Sequence, residues 1–174
     1  MEALVVYLRD MSEIILLIHD IRSTHNVGSL LRTAECLGVC RVYITGYTPY
    51  PKHVGDMRLP HIAEKLHKAI HKTALGAESL VSWQYEQDVT SVILRLRDEG
   101  YRMVGLEQSP ASVSLDQYAT PPKIALLIGR EVEGIDPELL SQCDDIVEIP
   151  QFGQKESLNV VQATAIALYR LRTP

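Results

Sequence analysis

The sequence predicts an α/β domain built on a mostly parallel sheet with helices on both faces. Three observations predict it. Strand-length apolar runs alternate with stretches of helical periodicity along the whole chain. The 174 residues, 46% of them hydrophobic, suffice for a single domain over 1–174 with a sizeable core. Two late apolar segments each break into a Gly-containing polar loop, the place where such sheets hold small ligands.

The elements follow in order. Ile14–His19 reads as a buried strand. Val27, Leu30, Leu31 and Ala34 recur at helical spacing and predict a helix from about Val27 to Leu37, with Asn26 as its N-cap and Gly38 as its stop. Arg41–Thr45 is a second strand. A Gly/Pro/Tyr-rich loop from Gly46 to Pro60 is long enough to suggest function. His61–Lys72 reads as helix and Ser79–Tyr85 as a short strand. Asp88 or Thr90 caps a helix with the stripe Val89, Val92, Ile93, Leu96, ending near Gly100. Tyr101–Leu106 and Lys123–Ile128 are strands. Asp136-Pro137 starts a short helix, because proline suits a first turn. Asp145–Ile149 is a last strand and Ser157–Leu171 a last helix. That helix is apolar nearly all round, so it should be buried on every side, with a second copy of the chain covering what the domain does not. A two-fold homodimer is expected.

Composition excludes several classes. Apolar runs stop at strand length, so no membrane span or membrane partner is expected. The N-terminus shows no basic leader or cleavage site, which predicts no signal peptide. Cys36, Cys40 and Cys143 are an odd number outside any CxxC spacing, which argues against a disulfide framework and for a reducing cytoplasm. Cys36 and Cys40 read as small buried residues, and no metal site is expected. The formal net charge is −5, unfavourable for a nucleic-acid binder as a sum. Its distribution is polarised: Lys52, Arg58, Lys65, Lys68 and Lys72 share one stretch with four of the six histidines, opposed only by Asp56 and Glu64. That stretch is either a cationic docking face or an ordinary solvated helix face.

Candidate chemistry lies in three polar segments: Asn26-Val-Gly-Ser-Leu-Leu-Arg32-Thr-Ala, Leu127-Ile-Gly-Arg-Glu-Val-Glu-Gly134, and Ile149-Pro-Gln-Phe-Gly-Gln-Lys-Glu-Ser-Leu-Asn159. Gly129 either admits a ligand to the backbone or ends a strand, and Gly134 supplies a turn. Ser157 can be a plain N-cap. Asn159, one turn into an apolar helix, needs a ligand or a neighbouring loop as partner. Arg32 is either a phosphate grip or a surface pair with Glu35; Glu131 is either a ligand-loop carboxylate or a solvated charge. No phosphate-binding glycine motif, nucleophile elbow or HExxH is present, so the ligand is expected to be a nucleoside-type cofactor held by backbone groups.

These three segments, in this order and spacing, resemble the signature motifs of the SPOUT superfamily, SpoU/TrmH branch. Lys72-Thr-Ala-Leu-Gly-Ala-Glu78 resembles a segment of its short members, and the likeness covers roughly residues 14–171. The resemblance implies S-adenosylmethionine-dependent methylation of a ribose 2′-hydroxyl in tRNA or rRNA, with no DNA partner. It implies a C-terminal deep trefoil knot, which pattern reasoning alone never proposes, a homodimer, and no appended RNA-binding domain. It places the cofactor at Leu106, Glu107, Gly129, Ile149 and Leu158. It gives catalysis and site structure to Asn26, Arg32, Glu131, Ser157 and Asn159. Arg32 is the position linked with deprotonating the ribose hydroxyl; a guanidinium is a poor base, so phosphate binding and alkoxide stabilisation suit it better. RNA docking falls to Lys52, Arg58, Lys65, Lys68 and Lys72. The chain departs from the family pattern at Arg130, where Asn is common, at Gln151, where Met is common, and at Val161-Gln162, where a small pair is common. A non-catalytic RNA- or cofactor-binding relative and an RNA base methyltransferase are the alternatives.

Overall fold

The computed structural model describes residues 12–173. Seven strands form one sheet: β1 (Glu13–His19), β2 (Arg41–Thr45), β3 (Trp83–Glu86), β4 (Arg102–Leu106), β5 (Val113–Ser114), β6 (Lys123–Ile128) and β7 (Asp145–Glu148). Five helices accompany it: α1 (Thr24–Cys36), α2 (Pro60–Ala74), α3 (Val89–Asp98), α4 (Pro137–Leu140) and α5 (Val160–Arg172). The strand order is β3-β2-β1-β6-β4-β7-β5, and every pairing is parallel.

The pleat explains the layers. Successive side chains of a strand point to opposite faces. Ile14, Leu16 and Ile18 of β1 join Val27, Leu30 and Leu31 of α1, Ile70 of α2 and Leu168 of α5. Ile15 and Leu17 join Val89, Val92, Ile93 and Leu96 of α3, with Leu139 of α4. Near-continuous apolar strands are therefore buried on both sides, as a parallel sheet requires.

The order also positions the site. The chain runs outward from β1 to β2 and β3, returns to β4 leaving one slot, and fills that slot later with β6. Because the strands are parallel, the loops leaving β1, β4, β6 and β7 emerge at one edge. A crevice at such a switch point is where open α/β sheets bind ligands.

Helix boundaries correct several expectations. Ser23, not Asn26, caps α1: its hydroxyl accepts from Asn26 N at 3.3 Å, which moves the helix start three residues earlier. Asn159, not Ser157, caps α5, and its side chain accepts from Val161 N at 2.9 Å. Asn159 is thus an exposed cap outside the helix rather than a buried polar residue within it. The strand expected at Ser79–Tyr85 splits into a 3-10 turn, Ala77–Ser79, and β3, because Ser79 and Leu80 hydrogen-bond back to Gly76 and Ala77. Cys36 and Cys40 are exposed, not buried. Cys143 is half-buried, and burial pushes its thiol up to about 11. Asp88 and Asp136 cap α3 and α4 as read.

The segment 72–78 proves to be a clasp. Thr73 Oγ1 donates to His25 O of α1 at 2.8 Å. Leu75, at φ 53, and Gly76, at φ 97, turn the chain out of α2. The Glu78 carboxylate, 3% exposed, lies 2.5 Å from His71 Nδ1 and accepts from Gly76 N at 3.0 Å. Burial pushes its pKa up, yet these partners hold it below the usual range. Gly28 of α1 faces this clasp so closely that a Cβ would overlap Ile70 O and Thr73 Oγ1.

Only one face of α5 is covered: Thr164, Ala167, Leu168 and Leu171 are buried. Ile166 and Tyr169 stay exposed, the latter by 63%, as does Gln162. The described residues therefore do not bury this helix on every side.

Candidate active site

Leu106, Glu107, Gly129, Ile149 and Leu158, the five expected cofactor positions, line a single cavity at the β4, β6 and β7 ends. Glu131 and Ser157 line it too. Asn159, Asn26 and Arg32 do not.

The loop after β6 is closed on itself. Arg130 and Gly134 exchange two backbone hydrogen bonds, both 3.1 Å. A Cβ on Gly129 would stand 2.6 Å from the Gly134 carbonyl carbon and oxygen. Gly129 is therefore demanded by the loop's own closure. Gly134, at φ 71, supplies the turn, and a Cβ there would run into the Glu107 carboxylate.

Two carboxylates staple the loops. Glu107 accepts from Ile135 N and Gln108 N, each at 2.9 Å, tying the β4 loop to the β6 loop. Its charge is engaged with backbone N–H groups at the cavity wall. Glu131 reaches from the β6 loop to the start of α1. It accepts from Ser23 N at 3.1 Å, Arg22 N at 3.3 Å and Asn26 Nδ2 at 3.1 Å. Burial alone would raise its pKa, but these donors outweigh burial and hold the carboxyl below its usual value. A negative charge at a helix N-terminus is further favoured by the helix dipole. Asn26 and Glu131 are thus brought together as a structural junction beside the cavity.

Arg32 is exposed, and it makes no hydrogen bond or ion pair with the described residues. It follows Asn26 by six residues, about one and two-thirds helical turns, so the two side chains leave α1 on different faces. The chain by itself does not carry Arg32 to the cavity.

The cationic stretch divides. Lys65 and Lys72 are exposed and without an ion-pair partner among the described residues. Lys52 and Lys68 both lie 3.3 Å from Glu64. Arg58 is engaged by its own neighbours. Its side chain, 17% exposed, pairs with Asp56 at 2.5 Å, donates to Tyr50 O and Pro51 O, and sits 3.5 Å over the Tyr50 ring.

Sequence reading missed most of the remaining lining: Gln108, Arg130, Val132, Glu133, Glu148 and Gln151. Their signal was their membership of the same polar loops. With Glu107 and Glu131, the cavity gathers four carboxylates against one guanidinium, Arg130, which lies 3.8 Å from Asp136. Leu106, Ile128, Ile149, Leu158, Val160 and Ala163 form apolar walls. Apolar walls with an acidic lining fit a flat heteroaromatic ligand carrying positive charge. The sulfonium and ammonium of S-adenosylmethionine meet that description.

The model of the SpoU rRNA methylase family matches residues 13–169. The tRNA (guanosine(18)-2′-O)-methyltransferase of Borreliella burgdorferi is 28% identical over 156 residues, 88% of this chain and 63% of that protein. The 23S rRNA (guanosine-2′-O-)-methyltransferase RlmB of Bordetella pertussis is 29% identical over 156 residues, 90% of this chain and 58% of that protein. The chain thus spans about three fifths of these relatives. Among solved structures, an AdoMet-bound rRNA methyltransferase from Sinorhizobium meliloti superposes with TM-score 0.77 at 23% identity, covering 93% of this chain and 56% of that one. The TrmH/SpoU tRNA-modifying enzyme of A. aeolicus gives 0.74 at 22% identity, covering 98% and 82%.

Proposed function

The chain belongs to the SpoU rRNA methylase family, and from that premise we propose that it transfers the methyl group of S-adenosylmethionine to a ribose 2′-hydroxyl of structured RNA, tRNA or rRNA. The observation that carries the reading is the cavity itself. Three separate loops meet in it, and the five cofactor positions implied by the family resemblance all line it.

Bound there, S-adenosylmethionine supplies an electrophilic methyl on sulfur. The chain's residues do the rest. Glu107 and Glu131 lock the loops, so the pocket is organised before substrate arrives. The acidic lining favours a cationic ligand over its neutral demethylated product, which assists release. Ser157, exposed at the cavity mouth, hydrogen-bonds the ribose in this reading. Arg32 holds a backbone phosphate and stabilises charge developing on the attacking oxygen, whose proton passes to that phosphate or to water. It does so at the cavity of a second copy of the chain. Support for that arrangement is the open apolar face of α5 with Ile166 and Tyr169, next to the cavity residues Leu158, Val160 and Ala163. A trefoil knot formed by the β6 and β7 loops is part of the same reading; its support is the late insertion of β6 between β1 and β4.

The test is transfer of tritiated methyl from S-adenosylmethionine to total RNA, followed by alkaline hydrolysis. Label in alkali-resistant dinucleotides is expected. Label only in modified bases, or none, overturns the assignment. Arg32→Ala should abolish transfer and leave calorimetric cofactor binding intact. Sedimentation at micromolar concentration should show a dimer.

A further inference from the structure

A second cleft lies on the other side of the Arg22–Glu131 junction. It is an open cleft of about 500 Å³ to whose walls Tyr47, Tyr50, Tyr85, Arg22, Arg58 and Leu66 contribute. None of the three polar sequence motifs accounts for it.

Its walls are held rigidly. Tyr50 and Tyr85 stack with ring centroids 4.1 Å apart, and Arg58 covers the other side of Tyr50. Tyr85 Oη donates to Gly46 O at 2.7 Å. The Asp20 carboxylate accepts from Tyr47 N at 3.0 Å, and Thr48 Oγ1 accepts from Ile21 N at 3.0 Å. Backbone on both sides of Tyr47 is therefore fixed, while the residue remains 51% exposed. The Arg22 guanidinium stands 6.0 Å from the centre of that ring, and its Nη2 lies 3.4 Å from Glu133, which lines the cofactor cavity. Arg22 thus bridges the two hollows. A large exposed aromatic on a pinned loop, beside an exposed cation, offers a stacking surface and a phosphate partner at once.

We propose that this cleft seats one unstacked nucleobase of the RNA substrate, with Tyr47 as its stacking platform and Arg22 on the adjoining phosphate. Single-stranded bases are bound this way because every base has a π-face, and Arg meets phosphate in a bidentate fork. The proposal rests on the RNA-methylating reading and adds to it where the substrate strand is held. The cleft's place beside Glu131 and Glu133 sets the seated base next to the nucleotide presented to the cofactor.

Binding can be read without turnover. A fluorescein-labelled single-stranded 12-mer RNA of mixed sequence is titrated by anisotropy, alongside the same strand in a perfect duplex. Cofactor affinity is measured by calorimetry. Tyr47→Ala is expected to weaken single-strand binding about tenfold, and Tyr47→Phe to keep it. The duplex, whose bases are already stacked, should bind wild type and Tyr47→Ala equally. Arg22→Ala should weaken binding and flatten its salt dependence by about one unit of slope. S-adenosylmethionine affinity should stay unchanged in both Tyr47 variants, which also certifies their folding. Wild-type single-strand affinity in Tyr47→Ala overturns the proposal, as does an equal loss for strand and duplex. A protein that never methylates RNA but shows the Tyr47 dependence would sink the enzymatic reading and leave this site standing.

Discussion

The cavity loops and the cationic α2 face use charge in opposite ways. At the loops, Glu107 and Glu131 turn inward and accept from backbone N–H groups, those of Ile135, Ser23 and Arg22 coming from other segments. On α2, Lys65 and Lys72 project into solvent with no ion-pair partner among the described residues. Arg58 looks in sequence like a member of the second group but belongs to the first. The difference teaches that a charge in a motif says nothing of its role until its partner is known. Inward charges fix geometry, so their loss should show in folding and cofactor binding. Outward charges set long-range attraction, so their loss should show only against RNA.

The largest expected effect lies on the inward side. Gly129→Ala forces a Cβ against Gly134, where only backbone can give way. Overpacking of this kind costs about 1–3 kcal/mol, and the cavity loop must open to absorb it. Calorimetric binding of S-adenosylmethionine should fall below detection while the fold persists; a wild-type isotherm would break the comparison. Gly28→Ala is the matching test in the α1–α2 clasp. Alanine's helix propensity offers about 1 kcal/mol, but the overlap with Ile70 O outweighs it, so the melting temperature should drop.

Next comes Glu131→Gln. The amide oxygen cannot serve three donors as a carboxylate does, and the loss should be about 1.5–3 kcal/mol by denaturant titration. The pH dependence carries the sign. The native carboxyl sits below its unfolded value, so its stabilisation is full above about pH 4.3 and fades as pH falls through the native pKa. Wild type should therefore lose stability on acidification more steeply than the variant. Parallel curves would mean that the staple is not ionic.

On the outward side, reversing Lys65, Lys68 and Lys72 together should leave the melting curve unchanged. The Lys68–Glu64 pair is exposed on both sides and contributes little. RNA affinity should fall, and its salt slope should flatten by about one unit for each phosphate that is no longer neutralised. A change in melting with RNA affinity intact would invert the comparison. The smallest effect is expected at Leu75, exposed and left-handed at φ 53. Leu75→Gly should raise stability by about 0.5–1 kcal/mol, a shift of about 1–4 °C, because glycine takes that conformation freely.

Much of the scaffold was legible in sequence. β2 and β6 match their expected residues, and α3 and α4 begin at the expected aspartate caps, because periodicity and capping are local. β5 was missed because two residues carry no period. α1 and α5 were misplaced at their starts because Ser23 and Asn26, or Ser157 and Asn159, are equally good caps in isolation. Only the folded backbone chooses between them. Among site residues, Gly129, Glu131, Ile149, Ser157 and Leu158 of the lining lie in the polar motifs and Leu106 and Glu107 came with the family resemblance, whereas the partners of Glu107 and Glu131 were not legible.

What the sequence by itself determined is the alternation of strands and helices, their two buried faces and the loops that carry chemistry. Side-chain period and backbone stereochemistry act over a few neighbouring residues and can be read there. What the tertiary structure alone decided is which charges are bound and which are free. Glu131 meets Ser23 across 108 residues of chain, and Glu107 meets Ile135 across 28. The insertion of β6 beside β1 brings the first pair together. Electrostatic partnership depends on distance in space, and distance in space is a property of the whole sheet.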